Sequence, residues 1–306
     1  MMSLNIFGFR ALWSPYFLIS LLVITLLYFL LIGPWRHRFS GSEPTPIKTK
    51  VMFVLGMVLL YICKGSPIDL LGHIIFTTHM VQMAILYLVI APLFILGIPN
   101  WVWSRIVNQR IIKPIIKLLT SPIIALFLFN GIFSFYHIPF IHDFVKTNVI
   151  LHASVTSIIF IAAILMWWPL LNKLEGWNNL HGLKKIGYIF ADGILITPAC
   201  ALIIFSDAAF YATYTELGAW TKSLELCVPA SLLSQIDLSG PDMFTSMSAL
   251  EDQRTGGVIM KIMQEIIYGI FLAIVFFEWA RKERGIDELD EDLMVDSNAL
   301  NEPRIN

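Results

Sequence analysis

Charge is scarce in this chain. Of its 306 residues, 14% are Asp, Glu, Lys or Arg and 57% are hydrophobic, with a mean hydropathy of +0.73. A soluble domain carries roughly 25% charged residues, so a soluble globular fold is excluded. Cysteine is scarce too. Cys63, Cys200 and Cys227 stand far apart, with no Cys-x-x-Cys or Cys-x-x-x-Cys, the pattern of thiol copper chaperones and zinc sites. There is no phosphate-binding glycine loop, no nucleophile elbow and no His-Glu-x-x-His, which argues against an ATP-driven pump or a hydrolase. No internal repeat marks an inverted-repeat transporter. Arg10 precedes the first apolar run with no small-residue cleavage site after it, so no cleaved signal peptide is expected.

What is present is a series of apolar runs near the 20 or so residues that a helix needs to cross a bilayer. About seven spans are expected, at 12–32, 51–70, 72–97, 119–138, 149–171, 186–206 and 257–280. The second is the shortest: Val51–Cys63 is strongly apolar, Lys64 follows, and Pro67-Ile68-Asp69-Leu70 reads as a turn into the third. The expected fold is all-α, a polytopic membrane bundle over residues 1–280 with one long outer loop at about 207–256. Residues 281–306, first basic and then acidic, read as a disordered cytoplasmic tail. Trp101, Trp103 and the run Trp167-Trp168-Pro169 read as an aromatic belt at the cytoplasmic interface.

Basic residues set the orientation. Arg36, Arg38, Lys48 and Lys50 lie between the first two spans, and Arg105, Arg110, Lys113 and Lys117 after the third. Lys173, Lys184 and Lys185 follow the fifth span, and Arg281, Lys282 and Arg284 the last. These fourteen fall on alternate connections, against Arg10, Lys64, Lys146, Lys222 and Arg254 on the other side. Basic connections stay cytoplasmic, so the N-terminus is expected outside and the C-terminus inside, in a multi-pass protein of the cell membrane.

Five of the seven histidines then fall in one outer layer. His73 and His79 enter the third span, His137 and His142 flank the outer end of the fourth, and His152 opens the fifth. His37 and His181 stand apart on the cytoplasmic side. A single interfacial histidine is ordinarily a headgroup contact, but five in one layer point to a metal or haem site. His79 and Met83 are four apart and share a helix face. Imidazole suits copper, zinc, iron and nickel, and thioether favours Cu(I). Most of the 12 methionines are expected to be packing residues. The outer loop is net acidic, and most of it reads as solvated chain. At its end Asp252 is expected to orient a ligand histidine as a second-shell carboxylate. Asp192, inside the sixth span, is costly unless paired and belongs to the cytoplasmic half. Cys63 and Cys227 share the outer side, where a disulfide, a metal or unpaired burial all remain open.

Four stretches together resemble the CtaG family. They are His79-Met80-x-Gln82, the run from Tyr136-His137 through Asp143 to His152, Met166-Trp167-Trp168-Pro169, and Asp252-Gln253-x-x-Gly256-Gly257-x-x-Met260. The family consists of seven-span membrane proteins required to assemble caa3-type cytochrome c oxidase, and the likeness runs from the second span to the last. It implies an assembly factor rather than an enzyme, with a role in forming the oxidase CuB centre. The expected partners are the oxidase catalytic subunit, the lipid bilayer and other copper carriers, with no nucleic acid. Many relatives have histidine where this chain has Met83 and Thr156. The metal ligands expected here are His79, His137, His142 and His152 first, then His73 and Met83. Two alternatives remain: a b-type cytochrome with His79 and His152 as axial haem ligands, and a copper permease, in which soft ligands should continue toward the cytoplasmic half.

Overall fold

The computed structural model describes residues 2–177 and 179–300, with side chains through Gly285. Every regular element among them is helical. Five helices are long and apolar enough to cross a bilayer: Leu4–Ile32, Phe76–Gly97, Val149–Leu171, Leu183–Ile204 and Ala249–Gly285. Two bent pairs complete a set of seven if each counts as one span. Ile47–Gly65 meets Pro67–Ile74 at 48°, and Ile112–Leu119 meets Pro122–Tyr136 at 77°. The chain is an all-α, multi-pass membrane protein.

The bends have local causes. Ser66 caps the Pro67–Ile74 helix by accepting the Ile68 N–H at 3.2 Å, and Pro67 starts it with the φ a first turn requires. Pro122 and Pro139 start helices in the same way. Pro67–Leu70, expected as a turn, is therefore the first half of an eight-residue helix. Extended backbone at Ile75 separates that helix from the next. His73 consequently belongs to a short helix of its own and not to the mouth of the third span. The last helix begins at Ala249, so Asp252 and Gln253 are helical and the loop ends earlier than expected. The acidic side chains after Gly285, expected to be disordered, lie outside the described side chains.

The Phe76–Gly97 span is the axis of the bundle. Its apolar window is 67% buried, against 17% for the first span and 22% for the last. The last helix fits between this axis and Leu183–Ile204 because two consecutive glycines face the two neighbours. A Cβ on Gly256 would stand 2.8 Å from Phe76 Cδ1, and one on Gly257 2.8 Å from Ile204 Cγ1. Below His79 the axis widens into a π-helical turn at Ile85–Ile90, where Trp167 Nε1 donates to Tyr87 O at 3.0 Å. Trp167 and Trp168 are accordingly buried, at 1% and 2% exposure, and do not form a belt. Each ring buries a large apolar area between helices, and Trp167 also has a carbonyl partner within the bundle.

The two ends of the bundle differ. At one end the three basic connections meet. Arg105 Nη2 donates to Ser40 O at 2.8 Å, and a cavity of about 230 Å³ lies among Glu43, Thr45, Trp101, Trp103 and Lys173. At the other end the Met2 N–H donates to Met243 O at 2.7 Å, joining the N-terminus to the loop after Ile204. That loop is not solvated chain. Trp220, Leu224, Val228, Leu233 and Phe244 build a second small core with Phe7, Leu70 and Ile74. Trp220 and Leu224, four residues apart, share one face of the short Leu217–Leu224 helix and turn it into this core.

Candidate functional site

All five histidines expected in one layer are buried at the end that carries this folded loop, with exposures of 7% or less. Each is set by a different local device. Asp252 holds the start of the axial helix: Phe76 N–H donates to its Oδ2 at 2.6 Å and Thr77 N–H to its Oδ1 at 2.9 Å. A carboxylate at a helix N-terminus answers both the free N–H groups and the dipole. His79 follows one turn later. Asp252 thus positions His79 through the backbone, with both oxygens engaged there and not on an imidazole. Gln82 ties the broken second span to the axis, donating to Cys63 O at 2.7 Å and Ile68 O at 3.0 Å.

His137 ends the Pro122–Tyr136 helix. Its Nδ1 donates to Phe133 O at 2.7 Å, which leaves Nε2 as the free lone pair. His142 rides on the Pro139–Lys146 helix. The next residue, Asp143, accepts from Ala212 N at 2.9 Å, Thr213 N at 3.1 Å and Thr213 Oγ1 at 2.7 Å, so the loop is fastened beside the site. His152 lies in the first turn of Val149–Leu171, which Asn148 caps by accepting the Leu151 N–H at 3.0 Å.

These devices produce a triangle and a pair. His79 and His142 have ring centroids 5.3 Å apart, His79 and His137 6.3 Å, and His137 and His142 6.5 Å. His73 and His152 stand apart as a pair at 5.5 Å. Three imidazoles on one ion, each with a metal–nitrogen bond of about 2 Å, bring ring centroids to roughly 5–5.5 Å of one another. One edge of the triangle and the separate pair already meet that spacing, and the other two edges are about 1 Å wide. Six imidazole nitrogens among the described residues are buried without a hydrogen-bond partner: His73 Nδ1, His79 Nε2, His137 Nε2, both nitrogens of His142, and His152 Nδ1. Each such group left unpaired costs about 1–3 kcal/mol, so six in one cluster require an explanation, such as an ion or ordered water. Met83 lies buried one turn below His79 on the same helix. The donor set, imidazoles with a thioether nearby, fits copper.

Three tyrosines and a lysine complete the lining, and none of them was a sequence candidate. Tyr211 OH donates to His137 O at 2.9 Å, and its ring lies 4.7 Å from that of His142. Tyr136 lies 5.2 Å from His142, with its hydroxyl unpartnered. Lys146 is fully buried, donating to Gly72 O at 3.0 Å and to the Tyr214 hydroxyl. Burial pushes its amine well below the ordinary lysine range. The available signal was its spacing: Lys146 is four residues after His142, on one face of a short helix.

Burial also pushes the His142 imidazole down to about 4, so it is a neutral donor at physiological pH. An unfolded histidine titrates near 6.5. As the medium is acidified from there toward about 4, the unfolded chain takes up a proton that the folded chain refuses, and the stability held above 6.5 is lost. Thermal melts of the metal-free protein should therefore show a midpoint that falls across this window, and falls less in His142→Gln. Equal slopes in the two proteins would show that His142 is not buried in its neutral form.

No curated protein and no solved structure matches this chain. The profile of the cytochrome c oxidase caa3 assembly factors, Caa3_CtaG, matches residues 26–282, a segment that contains all five clustered histidines, Lys146 and Asp252. Over most of its length, from late in the first span to the end of the last, the chain belongs to the family of caa3-type cytochrome c oxidase assembly factors.

Proposed function

We propose that this assembly factor holds copper in the histidine cluster, on the extracytoplasmic side of the cell membrane, and passes it to the oxidase catalytic subunit for the CuB centre. The observation that carries the reading is the set of six unpartnered imidazole nitrogens buried at one end of the bundle. Copper is cargo here, not a resident cofactor. His79, His137 and His142 hold it as three neutral donors, with His152 and His73 beside them and Met83 as a soft ligand one turn below. Mixed imidazole and thioether ligands adapt to Cu(I), which suits release by ligand exchange. The close ring packing around His79, with Phe76, Tyr136 and Tyr214 all within 6.4 Å of it, favours a small ion over a porphyrin. Toward the other end the buried polar groups are hard ones. Asn130 Nδ2 donates to Asp192 Oδ1 at 2.5 Å and Tyr268 OH donates to Asp192, which favours an assembly factor over a copper permease.

The protein purified in mild detergent and loaded with Cu(I) should retain copper, and His142→Ala should lose it. Oxidase made without the protein should contain its haems but lack copper. A Soret band in the purified protein, or an oxidase subunit that is absent rather than copper-poor, would overturn copper delivery.

Orientation is tested separately. A reporter active only outside the cell should work when fused after Ser239 and stay silent after Glu175. The reverse pattern would place the cluster on the cytoplasmic face.

A further inference from the structure

We propose that Asp69, His73 and Cys227 form a second metal site, selective for a monovalent thiophilic cation such as Cu(I), at the loop-side edge of the histidine cluster. One donor atom from each lies within 4.8 Å of the others. Asp69 and His73 are four residues apart on the Pro67–Ile74 helix, so they share a face. Cys227 comes from the folded loop and is a free thiol whose Sγ donates to Asp69 Oδ2 at 3.4 Å. His73 is 4% exposed, and its Nδ1 has no hydrogen-bond partner. A buried imidazole with a free nitrogen beside a thiol and a carboxylate is an incomplete coordination shell, not a satisfied core histidine.

Charge selects the ion. Asp69 is paired with Lys64, whose Nζ donates to its Oδ1. When metal binds, the Cys227 S–H bond breaks, a metal–sulfur bond forms and the proton leaves to solvent, with no change of oxidation state. Thiolate, carboxylate and ammonium then sum to one negative charge. A monovalent cation closes that sum to zero, whereas a divalent cation leaves a net positive charge among buried groups, which is costly. Thiolate and imidazole are also the ligands that Cu(I) prefers.

The site adjoins the histidine pair, because the His73 ring lies 5.5 Å from that of His152. Lys146, bonded to Gly72 O beside His73, stands at the same junction. This second site deepens the copper reading and rests on it for the fate of the ion: copper is captured at the loop and then exchanged inward to the imidazoles.

The test is X-ray absorption at the copper edge on the full-length protein, loaded anaerobically with excess Cu(I) and washed. The wild type should show a sulfur scatterer at about 2.3 Å, the length of a metal–thiolate bond, and two coppers per chain. In a Met83→Leu background, which removes the thioether beside the histidine site, Cys227→Ser should lose the remaining sulfur signal and one copper. Cys63→Ser and Cys200→Ser should keep both, and Asp69→Asn should retain copper at least tenfold more weakly at the second site. Thermal melts of each variant confirm that it is folded. Copper bound with nitrogen scatterers alone, or sulfur scattering and two coppers that survive Cys227→Ser in the Met83→Leu background, would overturn the second site and leave the histidine site standing. No copper in any variant, including the wild type, would overturn both.

Discussion

Either His79→Ala or His142→Ala is expected to abolish caa3 oxidase activity while leaving the membrane level of this protein close to normal. These two rings form the tightest edge of the triangle, at 5.3 Å, and both present unpartnered nitrogens. No hydrogen bond ties His79 Nε2 or either His142 nitrogen to the fold, and the Asp143 carboxylate stands 3.6 Å from His142 Nδ1. Truncation therefore removes buried polar groups that are already costly where they stand. Against that gain stands the lost packing of a ring, so the net change in stability should be small. Loss of one of three ligands should cost far more in metal retention, because two imidazoles held apart by the fold bind the ion less firmly than three. His37→Ala and His181→Ala, at the opposite end, should be silent. The measurement is oxidase activity in membranes, normalised to this protein's abundance by immunoblot. If the His142→Ala protein vanishes from the membrane, the ring is structural and the cluster is a packing feature. If activity survives with the protein present, His142 is not a ligand.

What the chain reveals before folding depends on range. Spans are legible because hydropathy is local: Val149–Leu171 coincides with the expected span, and Leu183–Ile204 begins three residues early and ends two early. The shared histidine layer is legible too, since counting spans and basic connections returns distant residues to one end. The break at Ile75 is not, because an isoleucine in extended backbone between two helical runs carries no turn signal. That single break moved His73 off the axial helix and paired it with His152. The burial of Lys146 is equally hidden. As one of five basic residues on its side it reads as solvated, and only the folded loop, pinned by Asp143 to Ala212 and Thr213, closes over it. Cys227 is a lone cysteine in the sequence and acquires neighbours only because Trp220 and Val228 bury the loop against Leu70 and Ile74.

Asp252 illustrates the same limit and leads to the second large effect. A carboxylate near histidines in a sequence suggests a ring partner, but here it accepts two backbone N–H groups at 2.6 and 2.9 Å, while Thr77 Oγ1 returns a bond to Asp252 O at 2.9 Å. Gly256, one turn further on, allows the two helices to approach closely enough for these bonds to form. Asp252→Ala should lose two charge-assisted bonds and leave buried donors unpaired, a cost of about 2–4 kcal/mol. The thermal midpoint should fall by roughly 5 °C or more, and the protein should accumulate poorly in membranes. Asp252→Asn keeps one acceptor and should fall between the two. A carboxylate that instead oriented a ligand ring would behave differently. Its removal would lower metal affinity about 10–100-fold with the melting midpoint unchanged. Measuring the midpoint of the metal-free protein separates the two roles, since no ligand contributes to it. An unchanged midpoint in Asp252→Ala would mean that the axial helix does not depend on this anchor and that His79 is positioned by other contacts.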